Sequence, residues 1–268
     1  GSWSLGVAAA QDCAALQGTA PTSSTRVLKA QLVPADAAHG LPTFCELTVQ
    51  ASSGPGSHIT MVYRLPDNWN GKMLGSGGGG WAGNTQLLPL RPNVITASAG
   101  LTRGYATAQT DAGHPLPEVQ DLKTGADISW IPGNWAAVLD FSHLGVHEMT
   151  VLGKQVITSY YGRPVQKSYF QGCSTGGRQG MMETQRYPDD YDGVIAGAPV
   201  YTLLVQTSSV VRRNIFLAPG AAFDAGQLKL VNAAVLAACD ANDGLVDGVI
   251  TDPRRCHWDP GALQCGPG

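Results

Sequence analysis

Charge is scarce in this chain. Of its 268 residues only 14% are Asp, Glu, Lys or Arg, and the formal balance is -3 with a pI near 6.0. A surface so lean in lysine and arginine offers no basic field, which excludes nucleic acid and anionic membrane surfaces as expected partners. No apolar run approaches the roughly 18 to 20 residues that cross a bilayer. The six cysteines include no C-x-x-C pair, which argues against a zinc ribbon or a thioredoxin-like centre and leaves disulfides or buried thiols. Disulfides are the favoured reading, and they place the protein in an oxidising compartment, secreted or periplasmic. Metalloprotease spacing is missing too. His143 and His147 stand four apart in a helical stretch, but with no glutamate in a His-Glu-x-x-His frame they read as a polar helix face.

What the chain has is glycine, 34 residues of it, and a hydrophobic content of 43% that can fill one large domain, or one plus part of another. Gly1-Ser2 has the form of a cloning scar, and Ala8-Ala9-Ala10 before Gln11 that of a signal-peptidase site, so neither bears on the fold. Thr25 to Val33 alternates, and Cys45 to Val49 and Ile59 to Leu65 alternate around Ser52-Ser53-Gly54-Pro55-Gly56-Ser57, which predicts a hairpin and an antiparallel opening to the sheet. Lys72 to Leu74 is a short strand that runs into Gly75-Ser76-Gly77-Gly78-Gly79-Gly80, and Gly104 to Asp111 is the next strand, ending at His114. The near-helical spacing of Val146, Met149, Ile157 and Tyr160 predicts a crossover helix over Phe141 to Tyr161. Gly193 to Ala198 is a small-residue strand. Beyond Tyr201 the alternation stops, and Leu203 to Leu217 and Gly226 to Ala238 have the character of helices.

The chain turns on Tyr169-Phe170-Gln171-Gly172-Cys173-Ser174-Thr175-Gly176-Gly177-Arg178-Gln179-Gly180. Apolar residues lead in, glycines flank one serine, and a helix-compatible run leads out. Gly172-x-Ser174-x-Gly176 fits a nucleophile elbow, where a strained strand-to-helix turn lifts a serine hydroxyl clear of the sheet. The Thr175 amide, at the start of the outgoing helix, would point where negative charge develops on an attacked carbonyl oxygen.

That stretch, with Tyr187-Pro188-Asp189-Asp190-Tyr191-Asp192-Gly193-Val194-Ile195-Ala196-Gly197-Ala198-Pro199, resembles the tannase and feruloyl esterase family, which includes hydrolases of terephthalate monoesters. The most specific marker is Cys173 directly before the serine. The resemblance runs at lower density from about Cys13 to the end. It implies an α/β-hydrolase whose catalytic part covers 1–200, with a lid domain inserted after the elbow region and beginning over 201–268. It implies a serine carboxylic-ester hydrolase acting on aromatic acid esters, feruloyl, galloyl or related, with Ser174 as nucleophile. By position along the family pattern Gly80 supplies the second oxyanion amide, since only glycine lets the backbone come that near a substrate.

Asp240, Asp243, Asp247 and Asp252 lie within thirteen residues between Cys239 and Cys256. The spacing is not that of an EF-hand, because Leu245 and Thr251 occupy the positions where that loop needs glycine and glutamate. Taken alone it is a solvated acidic turn. The resemblance implies instead a structural Ca2+ held by the side chains of Asp240, Asp243 and Asp247 and the backbone of Leu245 and Val249. Cys13 and Cys45 are either a disulfide tying the amino-terminal arm to the first strand or two buried thiols. Counting Cys13 with Cys45 and Cys239 with Cys256 leaves Cys173 and Cys265, which are expected to bond to sequence not shown.

A serine hydrolase also needs a base and an acid. In this fold the histidine follows the serine, so His114 is expected to pack a loop, and His257 is the remaining histidine after Ser174. His257 follows Cys256, the reverse of the family's order. The expectation is a catalytic sheet incomplete in this chain, with the Asp and His on a missing carboxyl-terminal segment or a second chain. A reading of another class is a calcium-bound binding or assembly module that keeps the fold without the chemistry.

Overall fold

The computed structural model describes residues 12–81, 83–89, 95–114, 127–200, 202 and 219–264. The chain divides into two compact units, Gly1–Tyr201 and Thr202–Gly268. The first is built on strands β1 (Thr25–Val33), β2 (Phe44–Ala51), β3 (Ile59–Pro66), β4 (Lys72–Ser76), β5 (Ala106–Thr110), β6 (Lys167–Cys173) and β7 (Gly193–Gly197), which form one sheet in the order β1-β2-β3-β5-β4-β6-β7. The expected hairpin is β2 on β3, antiparallel from Phe44↔Pro66 to Ala51↔Ile59. Its turn is closed by the Ser53 amide donating to Ser57 Oγ at 2.9 Å. β5 runs antiparallel to β3 but parallel to β4, and β4, β6 and β7 continue parallel. The carboxyl ends of β4, β5, β6 and β7 therefore share one edge of the sheet.

Helix α1 is a single turn, Ser98–Leu101. The crossover begins earlier than its sequence period indicates. Helix α2 (Trp135–Leu139), with Asn134 accepting from the Ala137 amide at 3.2 Å, runs through a π-helical turn, Asp140–Leu144, into α3 (Gly145–Tyr161). A π turn adds a residue to the repeat, so a 3.6-residue pattern cannot be followed back across it. Neither glycine of α3 breaks the helix. A Cβ on Gly153 would lie 2.9 Å from the Tyr63 ring and 3.0 Å from the Met73 methyl, so the missing side chain is what seats α3 on β3 and β4. Val146, Met149, Leu152, Val156 and Ile157 are buried in the core with Tyr63, Met73 and Phe170. Cys13 and Cys45 form a disulfide in that core, which settles the choice against two thiols. Helix α4 (Thr175–Arg186) leaves β6 at Ser174.

In the second unit α5 (Ala225–Cys239) starts at Asp224, whose side chain accepts from the Gln227 amide while Gln227 reaches back to the Asp224 amide. Such a reciprocal cap satisfies two of the four open amides at a helix start. Cys239 and Cys256 form the second disulfide and close the acidic segment. The helix expected over Leu203 to Leu217, Cys265 and the amino-terminal Gly1 to Gln11 lie outside the described residues. Among the described residues no helix is long and apolar enough to cross a membrane.

Candidate active site

Ser174 sits at the shared edge, at the end of β6, with φ 60° and ψ -117°. A non-glycine residue in that region is strained and is held there by its surroundings. The Ser174 amide donates to Gly197 O at 3.0 Å, and the Ser174 carbonyl accepts from the amides of Arg178 at 3.0 Å and Val200 at 3.2 Å. Two glycines are obligatory for closeness. A Cβ on Gly172 would lie 2.3 Å from Gly176 O, and one on Gly177 would lie 2.2 Å from Gly197 O. The serine side chain is exposed.

The glycine loop after β4 is tied to this turn. The Gly77 amide donates to Gln171 O at 2.9 Å, the Gly78 amide to Gln179 Oε1 at 2.9 Å, and the Gly176 amide to Gly78 O at 3.0 Å. Thr175 Oγ1 donates to Gly80 O. The two residues expected to supply oxyanion amides are thus direct neighbours beside Ser174. Thr175 is the first residue of α4, where amides lack a partner within the helix and the helix end carries partial positive charge.

Among the described residues no histidine is hydrogen-bonded to Ser174 Oγ. His114 is buried, its Nδ1 is 2.7 Å from the Trp81 carbonyl oxygen and its ring lies 5.2 Å from that of Trp130, which is the loop-packing position expected of it. His257 is exposed and lies in the second unit. His143 and His147 lie half-buried on a polar helix face and have specific partners there. His143 Nδ1 is 2.7 Å from Tyr187 Oη, His147 stacks on the Tyr187 ring at 3.7 Å, and His147 Nδ1 is 2.7 Å from Asp190 Oδ2. Their partners come from beyond α4, so helical spacing could not reveal them.

Sequence reading also missed three buried ionisable side chains, of which Arg178 braces the elbow helix. Arg178 donates to the carbonyls of Ser142 at 2.8 Å and Phe141 at 2.9 Å and so locks the elbow helix onto the π turn; burial draws its pKa down to about 10. Asp111, just after β5, accepts from the amides of Thr60 and Gly113, each at 2.9 Å, yet burial raises its carboxyl to about 6 against those bonds, with Asp140 adding to the rise. Asp140 accepts from Ser53 Oγ at 2.6 Å.

The acidic segment of the second unit offers only hard oxygen donors, which fits calcium chemically. Its glycines Gly244 and Gly248 take φ of 94° and 81° and fold the loop inward. Here both Asp240 oxygens accept from the Gly248 amide at 3.1 Å, Asp243 accepts from the Leu245 amide and Thr251 Oγ1, and Asp247 accepts from the Val249 amide. Each carboxylate is turned to the loop's own donors, so calcium would take them by rotation of the side chains. Cys173 is exposed and unpaired within the described residues.

A mixed sheet with a strained serine between β6 and α4, and a glycine loop braced against it, defines an α/β-hydrolase. A family model described as tannase and feruloyl esterase matches residues 45–268, and the chain belongs to that family. It is 40% identical over 223 residues to a probable feruloyl esterase of Arthroderma benhamiae, covering 78% of this chain and 38% of that protein. It is 34% identical over 257 residues to the mono(2-hydroxyethyl) terephthalate hydrolase of Piscinibacter sakaiensis, covering 85% of this chain and 42% of the relative. The crystal structure of feruloyl esterase B from Aspergillus oryzae superposes with a TM-score of 0.72 at 30% identity, over 91% of this chain and 49% of that one. The chain thus spans about two fifths of the length of the curated relatives it matches.

Proposed function

We propose that the protein is a secreted or periplasmic serine carboxylic-ester hydrolase that cleaves aromatic acid esters, feruloyl, galloyl or related, through an acyl-enzyme. Ser174 Oγ attacks the ester carbonyl, and the amides of Thr175 and Gly80 donate to the oxyanion that forms. The alcohol leaves, and water then releases the acid and returns the proton to Ser174. A histidine and an aspartate on sequence beyond this chain remove and restore that proton. The single observation that carries the reading is Ser174 itself, exposed at φ 60° at the first turn of α4 with the glycine loop bonded beside it. Calcium in the Asp240–Val249 segment is proposed as structural. Similarity to a probable feruloyl esterase and to a mono(2-hydroxyethyl) terephthalate hydrolase supports the substrate class, and the two disulfides support the compartment.

The other reading, a calcium-bound assembly module without chemistry, keeps the fold but has no use for a strained serine. A fluorophosphonate ester separates the two. The full-length protein should take up one equivalent, mapped by peptide mass spectrometry to Ser174, and the Ser174→Ala protein should take up none. An unlabelled Ser174 in folded full-length protein favours the module.

A further inference from the structure

Helix α3, helix α4 and the turn before β7 bring three ligand-type side chains together away from the elbow. His147 comes from α3, Glu183 from α4 and Asp190 from the turn, and one ligand atom of each lies within 4.8 Å of the others. His147 Nδ1 and Asp190 Oδ2 are 2.7 Å apart. Glu183 is 1% exposed, and neither of its carboxylate oxygens has a hydrogen-bond donor. Asp190 is 7% exposed, so two carboxyl groups face each other in a nearly dry space. The His147 side chain is 26% exposed and gives the cluster its edge to solvent.

A buried carboxyl group with both oxygens orphaned stays neutral unless a cation answers it, because water is not there to solvate the charge. Among the described residues His147 is in contact with the cluster's Asp190, and the Glu183 oxygens have no such partner. Tyr187 offers the face of its ring to His147, and its hydroxyl meets His143. A cation would answer both carboxylates at once, and the imidazole completes a mixed nitrogen and oxygen donor set. That set suits zinc and its first-row neighbours, whereas calcium takes oxygen throughout. Ligands that share a tetrahedral zinc at about 2 Å stand roughly 3.3 Å apart, so the side chains seen here need to close by about 1.5 Å at most.

We infer that His147, Glu183 and Asp190 form a binding site for one first-row divalent cation, zinc by its donor chemistry, that clamps α3 to α4. The site is separate from ester cleavage. Glu183 follows Ser174 by nine residues along α4, about 13 Å at 1.5 Å per residue. The clamp acts through the elbow helix, fixing the element whose first turn holds Ser174.

The test is calorimetric titration of the purified protein with zinc chloride. Calcium is kept in excess to occupy the acidic segment, and any free thiol is alkylated beforehand so that it cannot take the metal. One zinc should bind per chain and raise the melting temperature by several degrees. Both effects should vanish in Glu183→Gln and in His147→Ala and survive in His143→Ala, whose imidazole lies nearby but outside the set. Circular dichroism and the metal-free melt show that the variants are folded. Glu183→Gln keeps the side chain's shape and carries the test if His147→Ala does not fold. Absence of one-to-one zinc binding, or binding that persists in Glu183→Gln, overturns the site and leaves two carboxyl groups that share a proton.

Discussion

At the scale of single residues the elbow is governed by distance. Gly172 has no room for a methyl group because the opposing atoms belong to the backbone of Gly176, which cannot swing aside as a side chain would. Gly172→Ala should therefore destabilise the protein by about 1–3 kcal/mol, the usual cost of overpacking. Gly79→Ala should leave the melt unchanged, since a Cβ there meets nothing within 4 Å. Equal melting temperatures for the two variants would mean that strand and helix can separate freely at the elbow. Asp111 makes a different prediction at the same scale. Its carboxyl is raised to about 6 from an ordinary 3.8, so the folded protein holds that proton more tightly than the unfolded chain. Its contribution is fully favourable below about pH 4 and is lost as pH rises through about 6, with no further change above that. The span is on the order of 2–3 kcal/mol. Asp111→Asn keeps an acceptor for the Thr60 and Gly113 amides and removes the titration, so its stability relative to wild type should rise between pH 4 and pH 7. Urea melts at the two pH values measure this directly, and a constant difference would remove Asp111 as the cause.

Among elements, those legible in the sequence are the ones whose cause is local. The hairpin follows from alternation and a glycine-proline turn, and the elbow from glycines at fixed offsets around Ser174. Gly226 to Ala238 is recognisable as a helix from its apolar content, and the observed helix, capped at its start by Asp224 with Gln227, is one residue longer at each end. What stayed hidden depends on contacts between distant segments. The π turn at Asp140–Leu144 shifts the helical register, so the sequence period begins the crossover at Phe141 whereas the helix begins at Trp135. The environments of Asp111, Asp140, Arg178 and Glu183 come from burial, which an isolated stretch of sequence does not reveal. The acidic segment lies between these cases, because its oxygen donors are plain in the sequence but the ion is a proposal. If calcium is held there, it stabilises by RT ln(1 + [L]/Kd), about 2.7 kcal/mol at a hundredfold excess over Kd. A chelator should then lower the melting temperature, and Asp243→Ala should abolish the response. A melt that chelator does not move, with no calcium by elemental analysis, reduces the segment to a turn closed by its own amides.

At the scale of the molecule, the chemistry proposed for Ser174 is larger than the residues around it. A serine hydroxyl is a weak nucleophile at neutral pH until a positioned base takes its proton. His114 is committed to the Trp81 carbonyl, His143 to Tyr187 and His147 to Asp190, and all three precede the serine in the chain. These 268 residues alone should therefore fail to hydrolyse an aromatic ester such as methyl ferulate, and the full-length protein should cleave it. Cys173 stands exposed beside the serine, and in the active protein it should be bonded to a cysteine outside this sequence, which would hold the base-bearing segment at the elbow. Non-reducing peptide mass spectrometry of the active protein locates that bond, and hydrolysis by residues 1 to 268 is measured in parallel. Turnover by the short chain that disappears in His257→Ala would place the base within these residues and remove the need for any other segment.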